Sequence, residues 1–388
     1  MLKTGNKVLF ISHFAGFIGG AEGYIYSSAA LLKRNGFKPY SLYVEKTRES
    51  ERFLSIFEDK WSLDQISQIK EEDFHFITLH KIFSPQVLNI ILTHFSPTVF
   101  VHDHDYYCPK GYKYYPYKRL NCRRRYHSVF CGLCSSIVPP RHITNGIISL
   151  LKKNFIDTPK LFQLTTSCKS FVVLSEFMKQ NLVKNGISKD KIHLLHPFLK
   201  ESPLTSTNID TDNNIQIVFA GQIVMSKGIP LLLDAISKLK FLTQNTFSVK
   251  IMGSGSRLKD FKKMSNDMGL SSVVEFLGWV ANPTAIFAKS HIAVFSSLWQ
   301  EPFGLSGIEA MSNGIPVVGF DVGGVSEWLQ NNYNGILVPE RDTNAMAKAL
   351  ANLIENHTLR QTLGTNARKS VIEKYGEQKF LENFIQLT

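Results

Sequence analysis

Two glutamates eight residues apart bracket the stretch Glu301-Pro302-Phe303-Gly304-Leu305-Ser306-Gly307-Ile308-Glu309. The apolar run before it, His291 to Ser296, reads as a buried strand, and Ser306 to Met311 reads as a helix start. A helix beginning near Phe303 places Glu309 about two turns along, at roughly 1.5 Å of rise per residue. The unpaired backbone N–H groups of its first turn then lie between two carboxylates. That is an anion site with a hydroxyl-binding carboxylate on each side, the outline of a nucleoside diphosphate sugar. The same residues also read as a helix whose acidic start is favoured by the macrodipole. The segment alone does not choose between the two.

Other residues with chemical potential fall at strand ends. Lys227 closes the loop Gly221-Gln222-Ile223-Val224-Met225-Ser226-Lys227-Gly228 and offers a point charge to a phosphate. Gly253 and Gly255 allow backbone to approach a ligand closely. In the first half, Gly16-Phe17-Ile18-Gly19-Gly20-Ala21-Glu22-Gly23 lies between a strand and a helix, where backbone amides meet phosphate in parallel α/β units. Its spacing is not G-x-G-x-x-G, so no dinucleotide site follows, and a turn needing positive φ accounts for the glycines equally. Val101-His102-Asp103-His104-Asp105 puts His102 at the carboxyl end of a strand, where open parallel sheets hold their ligands. A metal ligand, a general base and a hydrogen-bonded loop residue all remain open for it.

Residues 106–142 read as an insertion rich in Tyr, Lys and Arg, with four of the five cysteines: Cys108, Cys122, Cys131 and Cys134. Their spacing, C-x13-C-x8-C-x2-C, allows a structural zinc held by four thiolates, against ordinary loop or buried cysteines. Lys118-Arg119 and Arg123-Arg124-Arg125 can touch phosphates or lipid headgroups. Nucleic acid would want such basic residues interleaved with aromatics, and nothing else in the chain supports it.

The elements that must position these residues alternate strand and helix in both halves, which implies an α/β protein with two doubly wound parallel sheets. At 388 residues the chain is too long for one ordinary core. The domain reading is 1–200, with the insertion at 106–142; a polar linker at 201–214; a second domain at 215–372; and a C-terminal helix over 373–388 that crosses back to the first. Hydrophobic content of 44% and charged content of 20% indicate a folded chain. No apolar run reaches the length of a membrane span, and Val8 to Ile11 is too short for a signal sequence, so a cytoplasmic protein is expected. Residues 1–200 carry 28 Lys and Arg against 15 Asp and Glu, and the remainder 16 against 17, so the net charge of +12 resides in the first half. That asymmetry points to an anionic partner or to peripheral association with the inner face of a membrane, and a basic surface that merely aids solubility competes with it.

From about residue 215 to 375 the sequence resembles the family 4 glycosyltransferases of the GT-B fold. The resemblance rests on Gly221…Lys227-Gly228, Gly253-Ser254-Gly255, Glu301-Pro302-Phe303-Gly304-Leu305…Glu309-Ala310 and Gly323-Gly324…Glu327. In the first half Gly19-Gly20-Ala21-Glu22 looks like the family's early glycine loop. Val101-His102-Asp103, followed by Cys108-Pro109, looks like the strand end that carries its active-site histidine. The resemblance implies two Rossmann-like domains facing across a cleft. It implies transfer of a sugar from a nucleotide sugar, most often a UDP-sugar, with retention of configuration and no metal cofactor. The acceptor would be a glycan or lipid-linked intermediate in bacterial surface polysaccharide or glycoconjugate synthesis.

By motif match, Glu309 would bind the ribose, and Glu301 with the backbone after Phe303 would hold the donor sugar. Lys227, with Gly221, Gln222 and the amides near Gly304 and Leu305, would take the charge developing on the diphosphate. Gly19 and Gly20 would approach that diphosphate from the first domain, and His102 would contact the donor sugar. Asp103, Tyr106, Arg123 and Arg124 are the candidates on the acceptor side. One departure stands out: the family usually has Arg after the first glycine, and here Gln222 donates hydrogen bonds without charge. A nucleotide-sugar epimerase of the same fold and a catalytically inactive GT-B scaffold are the alternatives. The glutamate pair favours transfer over the first, and the intact Lys227 and glutamates count against the second.

Overall fold

The computed structural model describes residues 6–115, 120–137, 146–200 and 214–388. Lys118, Arg119 and all but the last residue of the expected linker lie outside the described residues.

Continuous apolar runs, the mark of parallel strands covered on both faces, build both sheets. In the first half they are β1 Lys7–Ala15, β2 Lys38–Lys46, β3 Lys60–Ser62, β4 Phe76–His80 and β5 Thr98–Val101. A short antiparallel hairpin follows, β6 Tyr114–Tyr115 with β7 Leu120–Asn121, and then β8 Ser170–Val173 and β9 Ile192–Leu194. In the second half they are β10 Asn214–Ala220, β11 Thr246–Met252, β12 Val274–Gly278, β13 Ile292–Phe295, β14 Val317–Phe320 and β15 Gly335–Val338. The first sheet runs β3-β2-β1-β4-β5-β8-β9 and the second β12-β11-β10-β13-β14-β15. The strand order therefore reverses once in each, between β1 and β4 and between β10 and β13. Ligands of such sheets gather at the carboxyl ends beside that reversal. The loops it singles out are those following β1 and β4 in one sheet and β10 and β13 in the other.

Helices cover the sheets by burying one stripe each. Ile229–Leu239 buries Ile229, Leu232, Leu233, Ile236 and Leu239, the three-and-four spacing of a half-buried helix. Pro230 stands in its first turn, where its missing N–H costs nothing. Pro85 does the same for Pro85–His94, and Ser84 caps that helix by accepting from the Val87 amide.

The chain forms two compact units. One comprises Met1–Lys113, Arg123–Pro197 and Phe380–Thr388; the other comprises Tyr114–Cys122 and Phe198–Lys379. Two segments group differently from a simple division at the linker. The hairpin of β6 and β7 belongs with the second unit although it is part of the insertion. From Phe380 onward the C-terminal helix Glu377–Ile385 belongs with the first, where the Phe384 ring meets Phe37 and Phe76 edge-on.

Sequence reading missed several elements. The charged stretch 47–73 holds β3 as well as the short helix Ser50–Leu54. The insertion holds the hairpin and a helix, Ser128–Ile137. The helix expected over 143–166 runs from Gly146 to Thr166 through one wide-turned segment, Lys153–Asp157.

Candidate functional site

In the second unit, the loops after β10, β13 and β14 interlock through backbone. Leu298 N–H donates to Ser226 O at 2.8 Å, and Ser296 Oγ donates to Lys227 O at 3.0 Å. Gly228 has φ +71, and a Cβ there would lie 1.8 Å from Ser296 O. Gly323, at φ +61, packs on the Glu301 backbone, and Gly324 N–H donates to Glu301 O at 2.8 Å. These contacts fix Lys227 and Glu301 side by side. Lys227 Nζ lies 2.5 Å from Glu301 Oε1, which also accepts from Ser297 Oγ at 2.5 Å. The Lys227 ammonium stands 5.4 Å from the centroid of the Trp299 ring. The Glu301 side chain is only 4% exposed, so its charge relies on these two partners.

The helix after Glu301 is Leu305–Ser312, capped by Gly304 at φ +105, and so begins two residues later than the sequence reading placed it. Glu309 is thus little more than one turn in. Its carboxylate makes no hydrogen bond among the described residues, and burial raises its pKa above the ordinary range. A half-buried carboxylate with no hydrogen bond among the described residues, little more than a turn from a helix N-terminus, suits a pair of hydroxyls next to an anion. Phe303 is a core residue: it is 2% exposed, meets Tyr375 edge-on, and gives its carbonyl to Trp328 Nε1 at 2.7 Å. Its backbone, not its ring, is what the site can use. Gln222 is exposed.

Gly253 and Gly255 turn out to serve the fold. A Cβ on Gly253, at φ +139, would lie 1.8 Å from Gly221 O, and one on Gly255 would lie 2.4 Å from Ile223 O. Their missing side chains admit the Gly221–Ile223 backbone, whereas the sequence reading assigned that space to a ligand. The early glycine loop divides the other way. Gly16, at φ +147, is crowded by Thr47, while a Cβ on Gly20 would meet nothing within 4 Å. The Gly19 N–H is already taken by Glu22 Oε2 at 2.9 Å, so Gly20 is the open member of the pair.

In the first unit a chain of hydrogen bonds sets the state of His102. The Thr78 hydroxyl gives its one proton to Leu9 O at 3.1 Å, so it accepts from His80 Nε2 at 3.0 Å. His80 Nδ1 is left as an acceptor and takes the proton of His102 Nε2 at 2.8 Å. The unprotonated Nδ1 of His102 is then an acceptor for a hydroxyl. Burial holds both imidazoles neutral: His80 falls well below the ordinary value, with His102 adding to the effect. His102 falls to about 3, with Lys81 adding and Asp103 opposing. A histidine so poised is a weak base at neutral pH and is better suited to accept a hydrogen bond than to carry a proton away.

A pH dependence follows. Unfolded, each histidine takes a proton near pH 6.5; folded, neither does until far lower pH. Their contribution is complete above pH 6.5 and is lost as the pH falls, at about 1.4 kcal/mol per pH unit for each. Urea midpoints measured from about pH 7 to about pH 5 should fall more steeply for the native chain than for His80→Gln. Parallel slopes would contradict the neutral pair.

The acceptor-side candidates separate. Asp103 is bound to Lys81 and accepts the Asp105 amide at 3.0 Å; Lys81 reaches Asp105 as well, at 3.2 Å. Burial pushes Asp103 up, but Lys81 more than offsets this and holds it below the usual range. Asp105 is pushed up to about 7 by burial and by the charge of Asp103. Tyr106 is 6% exposed and belongs to the apolar core with Ile82, so it does not present a surface contact. Arg123 and Arg124 are exposed. Among the described residues, no three His, Cys, Asp or Glu side chains gather to hold a metal. The Cys122 thiol meets Tyr115 Oη at 3.3 Å, and the Cys131 thiol meets the His127 amide at 3.4 Å.

Three features escaped sequence reading. Thr78 and His80 could have been found, because His80 ends β4 by the same strand-end rule that selected His102. Ser297 carries no motif. The docking of the insertion hairpin beside the site carries none either: Gln300 Nε2 donates to Cys122 O at 2.7 Å, and Asn121 Nδ2 to Glu340 Oε1 at 2.8 Å.

Residues 205–370 match the family model described as Glycosyl transferases group 1. An uncharacterized glycosyltransferase of Methanocaldococcus jannaschii is 31% identical over 42% of this chain and 42% of its own length. The poly(ribitol-phosphate) alpha-N-acetylglucosaminyltransferase of Staphylococcus aureus is 33% identical over 43% of this chain and 34% of its own. A capsular polysaccharide biosynthesis glycosyltransferase of Staphylococcus aureus is 27% identical over 56% and 58%. The matches thus span about a third to three fifths of these relatives. Anabaena HepE, solved in complex with UDP, aligns over 98% of this chain and 99% of its own with a TM-score of 0.72 at 16% identity. Staphylococcus aureus TarM aligns over 98% of each chain with a TM-score of 0.72 at 14% identity. The whole chain therefore has the GT-B fold.

Proposed function

We propose, from a chain whose second half belongs to the group 1 glycosyl transferases, that this protein moves a sugar from a nucleotide sugar to a glycan or lipid-linked acceptor. The reading takes a UDP-sugar as donor, retention of configuration, and no metal cofactor, in surface polysaccharide or glycoconjugate synthesis. The observation that carries it is the Lys227–Glu301 pair at the reversal of the second sheet. The names of the polymer-synthesising relatives and the UDP complex of HepE support the choice of donor and acceptor class.

In the transfer, the bond between the anomeric carbon and the diphosphate oxygen breaks, and the acceptor hydroxyl oxygen bonds to that carbon and passes its proton to the departing diphosphate oxygen. Negative charge collects on the leaving diphosphate. Lys227 and the amides heading Leu305–Ser312 meet that charge, which is where transition-state stabilisation is largest. Glu309 holds the ribose hydroxyls, Glu301 a hydroxyl of the donor sugar, and Gly20 approaches the diphosphate. His102 accepts a hydrogen bond from the sugar through Nδ1.

A panel of nucleotide sugars tests this by hydrolysis and by thermal stabilisation. A donor at 100 times its dissociation constant should stabilise the protein by about 2.7 kcal/mol. No shift with any nucleotide would overturn the reading. Within it the glutamates divide: Glu309→Ala should raise the donor KM with little change in kcat, whereas Glu301→Ala should act mainly on kcat. Identical kinetic defects would remove that division.

A further inference from the structure

Outside the candidate site, the helix pair of the insertion is built with its apolar residues outward. Ser128–Ile137 packs against Lys153–Asp157 through small and polar groups. A Cβ on Gly132 would lie 2.6 Å from the Phe155 ring, and Ser135 and Asn154 are fully buried. Asn154 Nδ2 donates to Ser136 Oγ at 3.1 Å, and Ser136 Oγ donates to Gly132 O at 2.9 Å. The large apolar side chains face solvent instead: Phe130 is 60% exposed, Leu133 50%, Ile137 80%, Ile148 83% and Ile156 50%. Residues 130, 133 and 137 form one stripe at helical spacing. A helix pair folded for water buries such a stripe and exposes its serines and asparagine. Small residues at the contact and large apolar residues outside are the packing of helices that face lipid.

The charge around this face matches the same environment. Arg123, Arg124 and Arg125 stand exposed two residues before the first helix, and exposed Lys152 ends Gly146–Lys152, the helix that runs on into Lys153–Asp157. From residue 106 to 166 Asp157 is the one acid. No helix among the described residues is long and apolar enough to cross a membrane.

We propose that this helix pair is a docking surface for an anionic lipid bilayer, lying in its interface with Phe130, Leu133, Ile137 and Ile148 among the acyl chains and the arginines at the headgroups. Apolar insertion plus basic headgroup contact is the usual two-part anchor of such segments. A second copy of the chain is the weaker occupant. Twofold pairing would bring two faces carrying the same arginines and lysines together. The inference is independent of the sugar-transfer reading, because its readout is binding to lipid.

The test is cosedimentation of the full chain with vesicles of phosphatidylcholine alone or mixed with phosphatidylglycerol. Binding is expected only to the mixed vesicles, weakening as salt rises, with each basic contact worth roughly fivefold in partition. A variant carrying Phe130→Ser, Leu133→Ser and Ile148→Ser should lose at least about tenfold in partition while keeping its melting temperature, since these side chains lie outside the packing. A second variant with Arg123→Gln, Arg124→Gln and Arg125→Gln should lose selectivity for the anionic lipid, which keeps the proposal testable if the serine variant misfolds. Undiminished vesicle binding by both variants would overturn the proposal. So would a chain that ignores vesicles and is a dimer by light scattering until the serine substitutions are made.

Discussion

Lys227→Ala should lower turnover by at least about 10²-fold, the size of effect seen when one donor to a developing anion is removed. Two features of this chain push the effect upward. The residue after the first glycine is Gln222, which brings no charge where the resembled family usually has an arginine. Among the described residues, the Lys227 ammonium is also the one charged partner of Glu301, which accepts a further hydrogen bond from the Ser297 hydroxyl. Removing the lysine leaves a nearly buried carboxylate underpaired, a change that costs up to about 3–5 kcal/mol in sealed sites. Lys227 itself is 21% exposed, so water reaches this pair and the cost falls below that range. The folding and chemical effects can be told apart. Lys227→Ala with Glu301→Gln should recover stability relative to Lys227→Ala alone and remain as slow. Near-normal turnover in Lys227→Ala would remove the lysine from the mechanism and with it the proposed function.

Gly253→Ala and Gly20→Ala should fail in opposite ways, although both glycines look alike in the sequence as sites of close ligand approach. At Gly253 the new methyl would sit 1.8 Å from Gly221 O on a backbone with φ +139. Backbone strain of about 1–3 kcal/mol and overpacking of about 1–3 kcal/mol then act together. Denaturant midpoints should drop by an amount comparable to much of a domain's stability, on the order of 5–15 kcal/mol. At Gly20 the methyl meets nothing within 4 Å and the position is the first of the helix Gly20–Arg34, so stability should hold or rise slightly. The proposed role predicts a weaker donor there, read as a raised KM. A stable Gly253→Ala would undo the structural role given to it, and a Gly20→Ala enzyme with native kinetics would remove that glycine from the donor site.

The contrast shows which features were legible in the chain. Apolar runs such as Ile292–Phe295 and Val317–Phe320, with helices between, announce a doubly wound sheet because strand and helix periods are written in adjacent residues. Lys227, Glu301 and His102 stood out because a strand end is also a local signal. The helix bearing Glu309 was placed two residues early, since Gly304 caps it only by adopting a left-handed backbone that the sequence merely permits.

Everything that depends on which loops become neighbours required the tertiary structure. The sheet order puts β10 beside β13, and only then does Lys227 meet a glutamate 74 residues away. The order of the other sheet puts β4 beside β5, which joins His80 to His102 and fixes the acceptor nitrogen. Whether a glycine spares room for a ligand or for the chain itself depends on what lies opposite the missing Cβ, which separates Gly20 from Gly253. The charge of the first half was plain from composition, but its alliance with an outward apolar stripe depends on which helix faces pack. Periodicity within a segment is a property of the chain; the partner across a sheet or a helix contact is chosen by the whole fold, through burial and sterics that no single segment contains.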